Sequence, residues 1–335
     1  MRRFNFSLPP IAWATAGVLV SLTLLFLFMP ELTMAAEVAG EAAGAAMDTQ
    51  PWWFWPLVLL VFCFFLGIIA VLAGVGGGVL YVPLVSGFFP FHLDFVRGAG
   101  LMVALAGALA AGPGLLRRNL ASLRMALPMA LIASASSIGG ALLGLYLSQL
   151  NPDILQICLG STIVGIAVLL LMSKNSAIPD VKKQDALGMA FGIGGTYFDE
   201  SMNEKISWKT HRTPQALFTF ILIGVLAGMF GLGAGWANVP VFNLMMGAPL
   251  KISVATSKFL LSITDTSAAW IYINQGCVIP LMAIPSIIGL MLGSFVGVRL
   301  LSIAKPKFIR YMVIVVLLFA GLKAIDKGLH IGLLG

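Results

Sequence analysis

The sequence predicts an all-α, polytopic integral membrane protein made of two homologous four-segment repeats, each opening on a glycine-broken helix. The first observation is composition: of 335 residues, 59% are hydrophobic and 10% charged, and mean hydropathy is +1.00. A soluble globular chain carries about 25% charged residues. The second is recurrence of apolar stretches of about 20 residues, each long enough to cross a hydrocarbon layer about 30 Å thick. The third is an internal repeat.

Residues 1–50 stand outside that repeat. Arg2 and Arg3 precede an apolar run, Ile11–Met29, and Glu31, Glu37, Glu41 and Asp48 follow it. This reads either as a signal peptide cleaved near Ala35–Ala36 or as an extra, retained transmembrane helix. Residues 51–172 form the first repeat, with apolar stretches Trp52–Phe89, Gly98–Leu116, Met125–Leu147 and Ile154–Met172. A polar linker, 173–214, holds Lys174, Lys182, Lys183, Lys205, Lys209 and Arg212. Within it, Thr196–Asp199 and Ile206–Lys209 flank the polar turn Met202-Asn203-Glu204 and predict a small hairpin. The second repeat, 215–327, comprises Gln215–Met246, Ser253–Tyr272, Ile279–Leu301 and Phe308–Ile325, and 328–335 is a tail.

A shift of 157 residues lays Leu66–Pro83 on Ile223–Pro240 with seven identities in 18 positions, where chance gives about one or two. Those identities include Gly67/Gly224, Gly74/Gly231, Gly76/Gly233, Gly78/Gly235 and Pro83/Pro240. The same shift pairs Leu93 with Leu250, Pro128 with Pro285, Ser137 with Ser294 and Gly140 with Gly297.

Basic residues collect on cytoplasmic loops. If Trp52–Phe89 crosses once, the loop holding Arg117, Arg118 and Arg124 and the whole linker fall outside, against that rule. If it enters and returns, turning at Gly74–Gly78, these segments and the Lys305–Lys307 loop become cytoplasmic, and the turns Ser148–Asp153 and Asn274–Val278 external. A returning segment makes each unit odd and the repeats inverted; four plain crossings make them parallel.

Three glycines in five positions, followed by a proline, argue for unwound backbone, since each glycine costs about 1 kcal/mol in a helix and proline lacks an N–H. Such backbone is tolerated at membrane depth when it is buried in protein or lines a cavity. Its freed N–H groups, with the N-terminus of the following half-helix, suit an anion. Close helix packing is the alternative use of the same glycines. No strand precedes the motif and no Lys-Ser/Thr ends it, which excludes a nucleotide loop.

The doubled glycine-rich segment ending in Val-Pro, the Thr256-Ser257 pair after the second copy and the linker between two four-segment halves resemble the TauE/SafE family of sulfite and organosulfur-anion exporters. The resemblance covers about Pro56 to Ile325. In the first half Gly98-Ala99-Gly100 replaces the polar pair common there, which puts equal participation of the halves in question. The resemblance implies a transporter of small anions, often sulfur oxyanions or sulfonates, without a cofactor; with no nucleotide-binding motif, the expectation is a secondary transporter in the inner membrane.

Substrate-lining candidates are Gly74, Gly76, Gly77, Gly78, Gly231, Gly233, Gly235, Asn238, Thr256, Ser257 and Lys258. Ionisable residues inside a membrane are costly and mark function by default. Lys258 is placed to attract the anion, with Thr256 and Ser257 as hydrogen-bond donors. Asp265, two turns along the same face, is the ion-coupling candidate, accepting a proton or pairing a cation. Snorkelling of Lys258 and a structural pair of Asp265 with Lys258 or with another helix are the competing uses. Asn238 either binds substrate or caps a half-helix. Arg97 reads as an anion guide or a membrane boundary, and Trp52, Trp53 and Trp55 as an interfacial belt.

The expected partners are thus a small anion, a coupling proton or cation and the lipid bilayer; a homo-oligomer is compatible with the sequence. The net charge of +7 comes without a basic stripe interleaved with aromatics, so no nucleic-acid partner is indicated. Cys63, Cys158 and Cys277 are far apart and suggest neither metal nor disulfide. A membrane-embedded enzyme lacks an HExxH or GxSxG motif; a membrane subunit serving a partner is the other rival.

Overall fold

Each glycine-broken stretch folds as a hairpin rather than as a single span. The computed structural model describes residues 51–73, 76–117, 121–172, 179, 181, 183–199, 204–300 and 306–330. The segment 1–50, Gly74, Arg118, Lys174, Lys182, the turn at 200–203, Lys305 and residues 331–335 lie outside the described residues.

The first unit runs α1 (Phe54–Ala73), α2 (Gly77–Phe88), α3 (Leu93–Arg117), α4 (Leu123–Leu150) and α5 (Pro152–Met172). The linker holds a short helix, α6 (Ala186–Ala190), and an antiparallel hairpin of β1 (Gly194–Asp199) and β2 (Glu204–Lys209), with Thr196 opposite Ser207. The expected hairpin is therefore present. The second unit runs α7 (Thr213–Phe230), α8 (Gly235–Pro240) with a π-turn over Val241–Met245, α9 (Leu250–Asn274), α10 (Pro280–Leu300) and α11 (Pro306–Leu329). Among the described residues, five helices are long and apolar enough to cross a membrane. Leu57, Phe65, Leu131, Phe218, Trp270 and Val315 are exposed on the outside of the bundle, as side chains facing lipid are.

Both broken segments return. Phe89, one residue past α2, packs on Phe62 and Trp55 of α1 at ring separations of 5.3 and 6.1 Å, and Phe91 reaches Trp55 at 5.3 Å. In the second unit Met246 accepts a bond from the His211 N–H (3.0 Å), and Phe242 packs on Phe220 at 5.2 Å. The chain thus leaves each hairpin on the side where it entered.

The first helix of each unit packs chiefly into the other unit. α1 lies along α10, where a side chain on Gly67 would strike the Leu290 carbonyl and one on Gly293 the Phe64 carbonyl. α7 lies along α4: a Cβ on Gly224 would be 2.6 Å from the Ala133 carbonyl oxygen, and one on Gly144 2.6 Å from that of Met229. The 157-residue shift carries Gly67 onto Gly224 and Ala133 onto Leu290, so the two seams are copies. Glycine lets the backbones approach this closely.

Elements superposed by the shift run in opposite directions. Along α3 and α9, Arg97 lies over the Tyr272 ring at 5.5 Å, while further into α3 Ala104 shares Gly233 as neighbour with Asp265. Rising numbers on one helix meet falling numbers on the other. α5 and α11 likewise pair Asp153 with His330 and Gly160 with Gly321. The starts of α4 and α9 lie on one face, joined by the Ser122 N–H donating to the Thr256 hydroxyl at 3.0 Å. That face carries Arg124, Lys251 and the linker. The opposite face carries Asp94, Asp153 and Asp326, with Lys323 and Lys327.

Candidate functional site

The two hairpin tips meet at the centre. α7 stops at Phe230 because Gly231 takes a left-handed conformation (φ +67°), and Gly233 repeats it at +68°. Side chains at φ > 0 are disfavoured, so glycine suits these corners. The tips touch through Gly76 and Gly235: a Cβ on Gly235 would lie 3.6 Å from the Gly76 Cα. Gly78 faces the Leu232 and Gly100 carbonyls, at 2.7 and 3.0 Å from its Cβ position, and Gly77 faces the Leu290 side chain. Gly77, Gly78 and Gly235 are thus occupied by packing, while Gly76, Gly231 and Gly233 shape the tips.

Asp265 is 1% exposed and stands at the second tip. Its Oδ2 lies 3.0 Å from the Cβ position of Gly233 and has no hydrogen-bond partner. The Ala234 backbone amide and Thr264 lie beside the carboxylate. The amide that opens α8 therefore faces a carboxylate of the protein itself. The sequence reading expected both half-helix starts to be open to a foreign anion; at the second break Asp265 takes that place. The position equivalent to Asp265 in the first unit is Ala108, and the cap of α2 is a glycine, Gly76, with no side chain to offer its amides.

Asn238 is fully buried, and neither atom of its amide has a partner. The shift explains why. Its counterpart Tyr81 bonds the Ser286 hydroxyl at 3.2 Å, but the counterpart of Ser286 is Met129, whose thioether is a weak acceptor at best. Trp236, 8% exposed, also leaves its Nε1–H unpaired. Residues two apart on a helix do not share a face, so Trp236 and Asn238 point to different sides of α8.

On α9, Thr256 and Ser257 are buried, and the Thr256 hydroxyl already accepts from the Ser122 amide, leaving its own proton to donate. Lys258 is half-buried and acts on Asp265 across space. No ion pair joins the two, so the structural pairing weighed for them is not made.

Arg97 departs most from its sequence reading. Its side chain is closed to solvent, at 0% exposed. It pairs with Asp94 and donates to the Met229 carbonyl at 2.7 Å. The Ser148 hydroxyl donates to Asp94 at 2.9 Å, and the Tyr272 hydroxyl donates to the Gly228 and Met229 carbonyls at 3.0 and 3.1 Å. The available signal was an acid and a base three residues apart, hence on one helix face. The apolar stretch begins at Gly98, whereas α3 starts at Leu93 and takes both residues into the helix.

A helical bundle with two returning, glycine-broken hairpins that meet beside a buried carboxylate is an architecture many membrane transporters share. The chain belongs to the TauE/SafE sulfite exporter family, whose model matches residues 59–324. It is 25% identical over 281 residues to "Probable membrane transporter protein YunE" of Bacillus subtilis, covering 82% of this chain and 98% of that one. It is 26% identical over 278 residues to "Probable membrane transporter protein ORF9" of Sinorhizobium sp, covering 81% and 93%. It is also 26% identical over 269 residues to "Probable membrane transporter protein YfcA" of Escherichia coli K12, covering 78% and 87%. No solved structure matches the chain.

Proposed function

We propose that this protein is a secondary transporter that moves a small anion, a sulfur oxyanion or sulfonate, across the inner membrane by way of the meeting hairpin tips. The basic face is cytoplasmic, following the positive-inside rule. The carrying observation is the inequality of the tips. The second holds Asp265 with an unpaired oxygen; the first has Ala108 at the equivalent position. Backbone N–H groups at the start of α2 receive the anion, and Asn238, Thr256 and Ser257 complete its hydrogen bonding, with Lys258 drawing it in from the cytoplasmic side.

Coupling follows from electrostatics. An anion at Gly76 comes close to Asp265, and two negative charges in a low-dielectric site repel strongly. The anion is therefore accepted only with Asp265 neutralised by a proton or paired with a cation, so one charge travels with the other. Purified protein in liposomes tests this. Labelled sulfite, thiosulfate or a sulfonate is expected to accumulate under an imposed proton or cation gradient; no flux of any of the three under either gradient overturns the reading.

A further inference from the structure

We propose that Arg97, Asp94, Ser148 and Tyr272 form an outer gate that closes the central site from the face opposite the basic one. The proposal rests on the transport reading above, because a gate has meaning only if a solute passes.

The geometry is layered. From Asp265, α9 runs toward that face through Ala268 and Ala269 to Tyr272. These three pack with Leu101 of α3 and Ala141 of α4 in a small apolar cluster, separate from the main core. It plugs the route above the carboxylate. Over it lies the polar lock: Arg97, fully buried, ties α3 to the Met229 carbonyl of α7, and Asp94, 15% exposed, ties it to Ser148 of α4. Tyr272 brings α9 to the same pair of α7 carbonyls. Four helices are thus joined at one level. The carbonyls they hold are the last of α7, just before the left-handed corner at Gly231, whose absent side chain would strike the Arg97 backbone.

The lock exists on one face only. The shift places Val254 where Arg97 stands and Lys251 where Asp94 stands, so the basic face has no copy of the ion pair. One-sidedness alone also occurs in a structural bond here, since Tyr81–Ser286 has no copy in the other half; the lock differs in joining four helices over the central site. A gate is one-sided because the two faces of a transporter open in turn. Every group in the lock is a side chain that can let go while the α4–α7 glycine seam stays closed, so α3 and α9 can part from α4 and α7 at this face.

The experiment uses the full chain with Cys63, Cys158 and Cys277 replaced by alanine and one reporter cysteine at Ala268→Cys, under the lock. In oriented vesicles a membrane-impermeant maleimide is applied to each face in turn. The reporter is expected to react slowly from the outer face in the parent. Asp94→Asn raises that rate about tenfold and Ser148→Ala about threefold, as the open state gains population, with the rate from the basic face unchanged. Ser148→Ala deletes one hydroxyl and guards against a misfolded Asp94 variant. Unchanged outer rates in both variants, or equal increases from both faces, overturn the gate. The labelling needs no substrate, so a failed flux assay sinks the transport reading without altering this result.

Discussion

Asp265 holds a carboxylate oxygen 3.0 Å from the point where a side chain on Gly233 would begin. The same glycine sits at φ +68°. A methyl group there meets both a forbidden backbone and the buried charge. Gly233→Ala is expected to lower stability by about 1–2 kcal/mol from the left-handed backbone alone, and to cut anion flux at least about tenfold by displacing Asp265. Thermal melting in detergent and liposome uptake measure the two effects separately.

Asp265→Asn removes the charge while keeping the shape. Burial of an unpaired carboxylate opposes folding, so the variant is expected to fold at least as stably as the parent. Its anion uptake should lose dependence on the proton or cation gradient and fall to passive exchange. Uptake measured with and without the gradient decides; a variant that still concentrates the anion rules out Asp265 as the coupling group.

Asn238→Leu separates a binding role from a structural one. The amide has no partner in the protein, and a buried unsatisfied amide costs about 1–3 kcal/mol. Leucine of similar size is expected to raise the melting temperature of the ligand-free protein while weakening anion binding about tenfold or more. If stability falls instead, the amide is serving the fold.

Two glycines of α4 and α7 behave oppositely under one substitution. A side chain on Gly228 would collide with the Ser137 backbone, so Gly228→Ala is expected to destabilise by about 1–3 kcal/mol. Gly139 has nothing within 4 Å of its Cβ position, and Gly139→Ala is expected to be neutral or to stabilise by about 0.5–1 kcal/mol. Parallel melting curves test the seam.

Sidedness has its own test. Arg124 and Gln275 are both exposed, one at the start of α4 and the other at the far end of α9. In a chain lacking its native cysteines, Arg124→Cys should react only from the cytoplasm and Gln275→Cys only from outside. Labelling of both from one side overturns the returning hairpins.

Hydropathy, glycine spacing and the 157-residue repeat were enough to read the bundle, the break at Gly74–Gly78 and the β1–β2 hairpin from the chain alone, because each is a local or periodic signal. Charge favoured the return of the hairpin: a single crossing leaves Arg124 and Lys209 outside, and a returning Trp52–Phe89 puts both on the cytoplasmic side. The exchange of α1 and α7 between units was not legible, since Gly67 and Leu290 are far apart in sequence and a lone helical glycine names no partner. Arg97 was misread for a related reason. Its burial depends on Met229 and Tyr272, which lie in the other repeat. Asn238 was legible as polar, but its lack of partners required knowing that Met129 stands where Ser286 stands in the other half. Trp236 carried no sequence signal, because a tryptophan in an apolar helix usually serves packing or the interface.

The seam between α1 and α10 also bears on how the protein is made. α1 leaves the ribosome early, yet its glycine-lined partner is missing until synthesis has passed Gly293. The first helix must wait in the bilayer, or beside a chaperone, with an unmatched small-residue stripe. Two half-length chains, one inserted upside down, would meet through the same pair of seams, and the exchanged helices hold that arrangement within one polypeptide.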